Sequence, residues 1–553
     1  MSILFSDKPA GVTTHTSLNE SDKRRVLPLP PDGFKEYLEA RMSREASVAL
    51  LKVVHRLDRG TTGAICFAQS ADIAARISAL FNQREVTKTY VLLTDRSVDA
   101  DSFEVESFIE RRGSEFVSLP PTASRPANAR TRFYREDQIQ DQSPDRVTAG
   151  GGTGPTMTRW RAEPETGRPH QIRLHAEQSG IPILGDDKHG GSKYPALCLH
   201  SQSLRFELDG TPYEHSSPAP VWFHKLGLAC HPNLVKWLAA IDRRERLSRS
   251  LSRALGSDSG FGEQTMRLIH SEGDPLRVEQ LGSVYSLSWF ADQLPNSKEW
   301  DDLHSLAEEL NWGPWYLQLR GNRGKAPNEE VVRFGSQEVP TRWKAFEGPV
   351  AFEFRRDTGL SPGLFLDQRR NREWVRQNTK DATVLNLFCY TGGFSVCAAM
   401  GGAKKTVSVD VSKPFLEWTK TNFSLNQLAL HSHEFRAMDS RDYLDWAIKK
   451  QLSFDLVICD PPSFGRSKSG VFRIDTDFDS LVKQLLKVTS PGGRILFSTN
   501  FEKWDLDDLA SRTTRAITQS GIRARLEPTP DPDWDFELPR EERNMKSLFI
   551  VRV

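Results

Sequence analysis

Cysteine is scarce in this 553-residue chain: Cys66, Cys198, Cys230, Cys389, Cys397 and Cys459 are scattered among apolar neighbours. None forms a CxxC pair or stands at metal-ligand spacing from a histidine, so a disulfide framework is excluded and no metal site is expected. A run of about 18 apolar residues is also missing, which excludes a membrane-spanning helix. Met1 is followed at once by Ile3, Leu4 and Phe5, without the basic start, apolar core and small-residue cleavage site of a signal peptide. The expected location is therefore cytoplasmic. Charge of one sign is lacking too: 74 Lys and Arg against 73 Asp and Glu leave +1, so any nucleic-acid surface must be a local patch. No GxGxxG and no GxxxxGK[ST] is present, which removes support from hydride-transfer and phosphate-loop readings.

What is present fits a globular chain of several domains, with 38% hydrophobic and 27% charged residues over a length too great for one core. The N-terminal part has short strand-like runs at Ile3 to Phe5, Gly63 to Phe67 and Thr89 to Leu93, with a helical stretch from Ala71 to Phe81. This predicts a mixed α+β fold. Gly, Pro, Ser and Asp crowd Asp141 to Pro155, which reads as a surface hairpin or insertion. From His231 to about Thr265 the sequence turns helical and basic, with Arg243, Arg244, Arg246, Arg249 and Arg253, and then Gly/Ser-rich from Gly256 to Gly262. It reads as a linker whose arginines either touch phosphates or face solvent. Val284 to Phe290 and a helix near Trp300 to Leu310 predict a small α+β domain. After Val350 the pattern becomes strand, turn, helix and strand again, with buried strands at Val384 to Phe388, Thr406 to Val409, Leu456 to Cys459 and Arg494 to Phe497. That is the signature of a parallel, Rossmann-like sheet.

The first chemical constellation is His55-Arg56-Leu57-Asp58-Arg59-Gly60-Thr61-Thr62-Gly63, a carboxylate between two arginines in a turn entering an apolar strand. Flanking arginines lower a carboxylate pKa, contact phosphates and take the place of an extruded base. A structural Asp–Arg turn would account for the same segment.

The segment resembles the hallmark of the RluA-like pseudouridine synthases, and three further pieces match that family in order. They are Lys8-Pro9-Ala10-Gly11, Lys88-Thr89-Tyr90, and Gly167-Arg168-Pro169-His170-Gln171-Ile172-Arg173-Leu174-His175, followed by Gly185-Asp186. The resemblance covers about the first 220 residues. It implies that Asp58 attacks the nucleoside or abstracts a proton while the freed uracil rotates and reattaches through carbon 5, with no cofactor. It further implies that Tyr90 lies against the base, Arg173 pairs with Asp58, and Arg56 supports the flipped state, with Arg168 and His170 beside the RNA. For His170 a purely structural role fits the residue type equally well. The family's appended S4-type RNA-binding module has no counterpart ahead of these segments.

The second constellation opens with Asn386-Leu387-Phe388-Cys389-Tyr390-Thr391-Gly392-Gly393, a small-residue turn between a strand and a helix that lets backbone approach a nucleotide-like ligand. Asp410 ends the next strand, where an acid suits a ribose diol. Asp460-Pro461-Pro462-Ser463-Phe464 ends a third strand. This Asp-Pro-Pro-x-aromatic pattern marks methyltransferases of planar nitrogenous substrates: the prolines fix the loop and the aromatic offers a stacking face.

With Gly363-Leu364-Phe365-Leu366-Asp367-Gln368-Arg369, the stretch from about Met266 onward resembles the RlmI/RlmK-type ribosomal RNA methyltransferases. The resemblance implies S-adenosylmethionine as cofactor, held by Gln368, Arg369, Phe388, Tyr390, Gly392, Asp410, Asp439 and Asp460, with Asp460 and Phe464 facing the target base. Carbon-5 cytosine methylation needs a cysteine nucleophile, and Cys459 and Cys389 stand in the wrong places for one. The resemblance to RlmK-like enzymes favours guanine ring nitrogen 7; adenine amino methylation stays open. The expected partner is RNA, 23S rRNA or an assembling large ribosomal subunit, with no membrane. The expected division is a pseudouridine synthase over 1–225, a linker over 226–265, a small α+β domain over 266–350 and a class I methyltransferase over 351–553. A methyltransferase whose N-terminal part only binds RNA is the competing reading.

Overall fold

Period-2 runs of apolar residues build the N-terminal part, and the computed structural model shows them as one ten-stranded sheet. Residues 3–16, 33–42, 50–140, 156–255, 264–320, 331–332, 339–358, 361–467, 470–536 and 545–553 are described. The expected hairpin at Asp141 to Pro155 and the stretch Gly256 to Gly262 lie outside them. The sheet order is Ile3–Lys8, Thr62–Ala68, Leu199–Leu208, Thr87–Thr94, Thr156–Pro164, Ala129–Gln140, Ser102–Arg112, Glu115–Leu119. Pairing is antiparallel except between Thr62–Ala68 and Leu199–Leu208, so the mixed, mainly antiparallel fold expected from the sequence is what forms. Thr62–Ala68 is buried at every position, as a central strand covered on both faces must be. The helix Ala71–Gln83 covers one face, capped by Ser70, whose side chain accepts from the Ile73 amide.

The basic segment departs from the expected solvated linker. Pro232–Leu255 is one helix of 24 residues, begun by a proline that suits the first helical turn. Leu234, Trp237, Leu238 and Ile241 enter a core that runs from Trp160 of the N-terminal sheet to Leu276 and Trp289 of the next domain. Leu247 and Leu251 pack against Leu57 and Phe67. Its arginines are consumed by neighbours. Arg246 is fully buried and bonds Asp242, Ser217 and the Pro218 carbonyl. Arg244 bonds Glu272 and the carbonyl of Asp535, while Arg249 and Arg253 reach the buried carboxylate of Asp7. Aliphatic stems at these positions supply apolar area, and the helix needs it to bridge two domains.

The small domain is a five-stranded sheet, Thr265–Ile269, Leu276–Leu281, Val284–Trp289, Trp315–Leu319 and Val331–Val332, with the helix Ser297–Glu309 and a hairpin of Arg342–Glu347 with Val350–Arg355. The C-terminal sheet has seven strands in the order Glu434–Ala437, Lys405–Asp410, Thr383–Leu387, Phe454–Cys459, Thr489–Thr499, Lys546–Arg552, Ala524–Pro528. All pairs are parallel except those of Lys546–Arg552. Chain order reverses direction at Thr383–Leu387, which leaves a crevice at the carboxyl ends of that strand and Phe454–Cys459. This is the Rossmann-like, mainly parallel sheet expected from the sequence.

Candidate functional sites

The Asp58 turn is moored from below. Lys8, fully buried, donates its ammonium protons to the carbonyls of Pro9, Arg59 and Thr61 at 3.0, 3.2 and 2.9 Å. Burial pushes its pKa down to about 7, with the Asp58 carboxylate pulling the other way. The Thr14 hydroxyl bonds both the amide and the carbonyl of Leu57 at 3.1 Å. Gly63 has φ 113 and its missing Cβ would strike the Ser201 carbonyl, so only glycine lets the turn enter the strand here. His55 stacks on Phe81 at 4.9 Å and accepts from the Cys66 amide, a structural use of the ring.

Arg173, on the helix Gln171–Gln178, donates to Asp58 at 3.1 Å and to both oxygens of Asp186 at 2.6 Å. Asp186 is buried, whereas the Asp58 side chain keeps 26% exposure, enough to meet a ligand. Tyr90 lies on Thr87–Thr94 between partners Ala162 and Ser201. Burial, offset by a Ser201 hydrogen bond and reinforced by the Asp58 charge, pushes its phenol up to about 12. It stays protonated at neutral pH. His170 caps the same helix with φ 56 and shares a 3.1 Å contact with His189, whose ring lies beside Glu177. Arg56 and Arg168 are exposed, and the Arg168 Nε donates to the Asn128 carbonyl at 3.3 Å. The sequence reading had no role for Asp186 or Lys8, although Gly185-Asp186 and Lys8-Pro9 were both visible as motifs.

In the C-terminal crevice, Phe388, Tyr390 and Gly392 all have left-handed backbones, with φ 54, 49 and 76. Two non-glycine residues held so cost about 1–3 kcal/mol each, a strain that clusters at ligand sites. Asp410 accepts from the amides of Tyr390 and Ser412 at 2.9 and 2.8 Å, which ties the turn to the neighbouring strand. The Tyr390 hydroxyl donates to the Ser361 carbonyl at 3.0 Å. Asp439 caps the helix Ser440–Lys449 through the Arg441 amide, and Ser440 accepts from the Phe388 amide.

Asp460 accepts from the Gln368 side chain at 3.2 Å, and the neighbouring Asp367 has an oxygen with no partner among the described residues. Burial first, and the charge of Asp367 second, push Asp460 up to about 7. Burial also raises Asp367. Two half-buried carboxylates that repel each other form a place for a cation. Arg369 is turned elsewhere: it bonds Asp533 at 2.9 Å, Asp535 at 2.7 Å and the Thr265 carbonyl at 2.7 Å, so it anchors Gln368 rather than lining the turn. Asp367 and the Asp533–Asp535 anchor were missed, because pairing across 160 residues leaves no local pattern. Phe464 is 48% exposed, and Ser463 donates to Asn500 at 3.1 Å, joining the Asp-Pro-Pro loop to the next strand. Cys389 and Cys459 are buried and their thiols are pushed well up by burial, so neither is a nucleophile. No group of three metal-ligating side chains occurs among the described residues.

Residues 2–178 match the RNA pseudouridylate synthase family, and residues 316–539 match the S-adenosylmethionine-dependent methyltransferase family. YwbD of Bacillus subtilis strain 168, provisionally named a ribosomal RNA large subunit methyltransferase, is 44% identical over 242 residues, 42% of this chain and 60% of that protein. Ribosomal RNA large subunit methyltransferase K/L of Saccharophagus degradans is 37% identical over 208 residues, 37% of this chain and 27% of that protein. The chain thus spans less than two thirds of either relative. The structure of SMU.776 complexed with SAH covers 69% of this chain and 98% of its own, with TM-score 0.49 and 22% identity. This chain joins a segment of the RNA pseudouridylate synthase family to a segment of the S-adenosylmethionine-dependent methyltransferase family.

Proposed function

We propose that the chain is a bifunctional RNA-modifying enzyme. Its N-terminal site isomerises uridine to pseudouridine: the bond from C1′ to N1 breaks, the bond from C1′ to C5 forms, and the proton leaving C5 is balanced by one gained at N1. Asp58 supplies the carboxylate, Arg173 holds it in place through a hydrogen bond, and the protonated Tyr90 packs against the base. Arg56 and Arg168 take phosphates. The relation that carries this reading is the Asp58–Arg173–Asp186 chain at 3.1 and 2.6 Å, which presents an oriented, part-exposed carboxylate.

The C-terminal site methylates a base in large-subunit ribosomal RNA, the 23S molecule or an assembling subunit. S-adenosylmethionine supplies an electrophilic methyl group when bound. The residues present fit it: Asp460 and the Asp367 oxygen that has no partner among the described residues suit its positive charges, and Asp410 suits its ribose diol. Phe388, Tyr390 and Gly392 curve backbone around the crevice, and Gln368 orients Asp460. Guanine nitrogen 7 is the favoured target. It has a free lone pair and no proton, so a site without a thiol nucleophile needs only to position it.

The test is to map modified nucleosides on ribosomal RNA from cells lacking the protein, complemented with wild type, Asp58→Asn or Asp460→Ala. Loss of one pseudouridine with the first and of one methylated base with the second is expected. If only the methyl mark depends on the protein, the N-terminal domain is an RNA-binding adaptor. If neither mark depends on it, the RNA assignment falls.

A further inference from the structure

Directly after the Asp-Pro-Pro loop the chain makes a two-stranded ribbon, Phe464–Ser467 against Gly470–Arg473. Its register pairs Phe464 with Arg473, Gly465 with Phe472 and Arg466 with Val471. Strand alternation therefore sends Phe464, Arg466, Val471 and Arg473 to one face and Gly465 and Phe472 to the other. The second face is fastened down. Phe472 is buried, 5.8 Å from Phe388 of the Gly-rich turn, and Arg441 lies over its ring while donating to the Val471 carbonyl at 3.3 Å.

The first face is left open. Phe464 and Val471 are 48% and 49% exposed, and the guanidinium groups of Arg466 and Arg473 stand 5.5 and 5.6 Å from the Phe464 ring. Neither guanidinium has an acidic partner among the described residues. Asp477 accepts from the Arg473 backbone amide, so its carboxylate is already engaged. An exposed aromatic bracketed by two arginines costs apolar exposure and brings like charges together, which the two cation–π contacts, at about 0.5–1 kcal/mol each, offset only in part. A single-stranded nucleic acid offsets the rest: bases stack on the ring and phosphates neutralise the charges.

We infer that the open face of this ribbon is the RNA-gripping element of the methylation site, with Arg466 and Arg473 as positioning residues that hold the phosphates on either side of the nucleotide stacked on Phe464. This rests on the RNA methyltransferase reading above. Because Phe472 joins the ribbon to Phe388, the grip and the cofactor turn form one rigid unit, and the target is held at a fixed distance from Asp460.

The experiment uses the full chain, an unmodified large-subunit ribosomal RNA transcript and tritiated S-adenosylmethionine. The doubly substituted Arg466→Ala, Arg473→Ala chain is expected to raise the KM for RNA about tenfold or more, with little change in kcat or in cofactor affinity. The salt dependence of RNA binding is expected to lose about 1.4 from its logarithmic slope, two phosphates at about 0.7 each. The Arg466→Lys, Arg473→Lys chain restores that slope but not the full affinity. Arg525→Ala, which removes an exposed arginine on the edge strand Ala524–Pro528, three strands from Phe454–Cys459 in the sheet order, leaves all these quantities unchanged. An alanine pair with wild-type KM and salt slope overturns the ribbon assignment while the methyltransferase reading stands. If wild type binds the transcript but methylates only protein, the parent reading fails and the salt slope still decides the grip. If wild type neither binds nor methylates the transcript, both fall.

Discussion

Asp186 accepts from Nε and Nη2 along one edge of the Arg173 guanidinium at 2.6 Å each, leaving Nη1 to reach Asp58 at 3.1 Å. The buried carboxylate thus fixes the arginine, and the arginine fixes the exposed one. Asp186→Asn keeps the shape but removes the charge, and breaking such a buried pair costs about 3 kcal/mol. The expected outcome is a lower Tm and at least a tenfold loss of pseudouridine formation, with methyl transfer unchanged. Carbodiimide mapping and thermal melts of the same sample check it; an unaltered isomerisation rate would detach Asp186 from the Asp58 site.

Asp460 predicts a pH dependence of cofactor binding. Its folded pKa is raised to about 7, against about 3.9 for an unfolded aspartate. The folded chain therefore keeps a proton between these values that the unfolded chain has lost. Asp460 lowers stability as pH climbs through that window, and the loss levels off above about 7. A positively charged cofactor favours the ionised form, so S-adenosylmethionine should bind more tightly from pH 6 to 8 and release a proton. The demethylated product, with a neutral thioether, should show a shallower slope. Calorimetric titration of both in buffers of different ionisation heat measures this, and equal slopes would refute it.

Much of this was legible beforehand because the chemistry sits in contiguous runs. The turn after Leu387, the acid Asp410 and the Asp-Pro-Pro loop each follow a short apolar strand, so period and punctuation located them. The basic run Arg243 to Arg253 misled because composition reports charge and not its partner. Asp7 and Asp535, which engage Arg253 and Arg244 through a carboxylate and a carbonyl, lie more than 240 residues away. Arg369 misled similarly, since its partners Asp533 and Asp535 come from the far end of the chain.

Gly392 carries a separate prediction about the Gly-rich turn. Its φ is 76, and a Cβ there would fall inside the van der Waals shell of the Thr419 methyl group. Gly392→Ala should cost about 2 kcal/mol or more and weaken S-adenosylmethionine binding at least tenfold. Adding Thr419→Ser, which removes that methyl group, should recover part of the stability. Thermal melts with and without cofactor report both effects; an undisturbed single variant would mean that the turn tolerates a side chain.

Glu272 gives the acid limb of stability. Burial opposes its ionisation, but the Arg244 charge and hydrogen bond prevail and hold the carboxyl at about 2. A depressed pKa contributes stability above the unfolded value, and that contribution is lost as pH falls from about 4.3 towards 2. Glu272→Gln should be less stable at pH 6 by about 3 kcal/mol and show a flatter decline in acid. Chemical denaturation at stepped pH tests this, and parallel curves for the two proteins would count against it.

The bridging helix makes the strongest claim on domain boundaries. If Pro232–Leu255 were a solvated linker, a chain beginning at Gln264 would be as stable as one beginning at His231. The structure gives the opposite expectation. Trp237 packs 6.3 Å from Trp289 and donates its indole proton to the Gly273 carbonyl at 3.0 Å, and Arg244 bonds the carbonyl of Asp535. Leu234, Leu238 and Ile241 share the core that contains Ile269, Leu276 and Leu287. Each large apolar side chain removed from such a core withdraws about 1.5–3 kcal/mol, comparable in sum to the whole stability of a domain. The 264–553 fragment should therefore aggregate, or melt at least 10 °C below the 231–553 fragment, since about 1 kcal/mol lowers Tm by about 2–4 °C in a chain of this size. Equal melting points would return the helix to the role of a tether and leave the two halves of the chain mechanically independent.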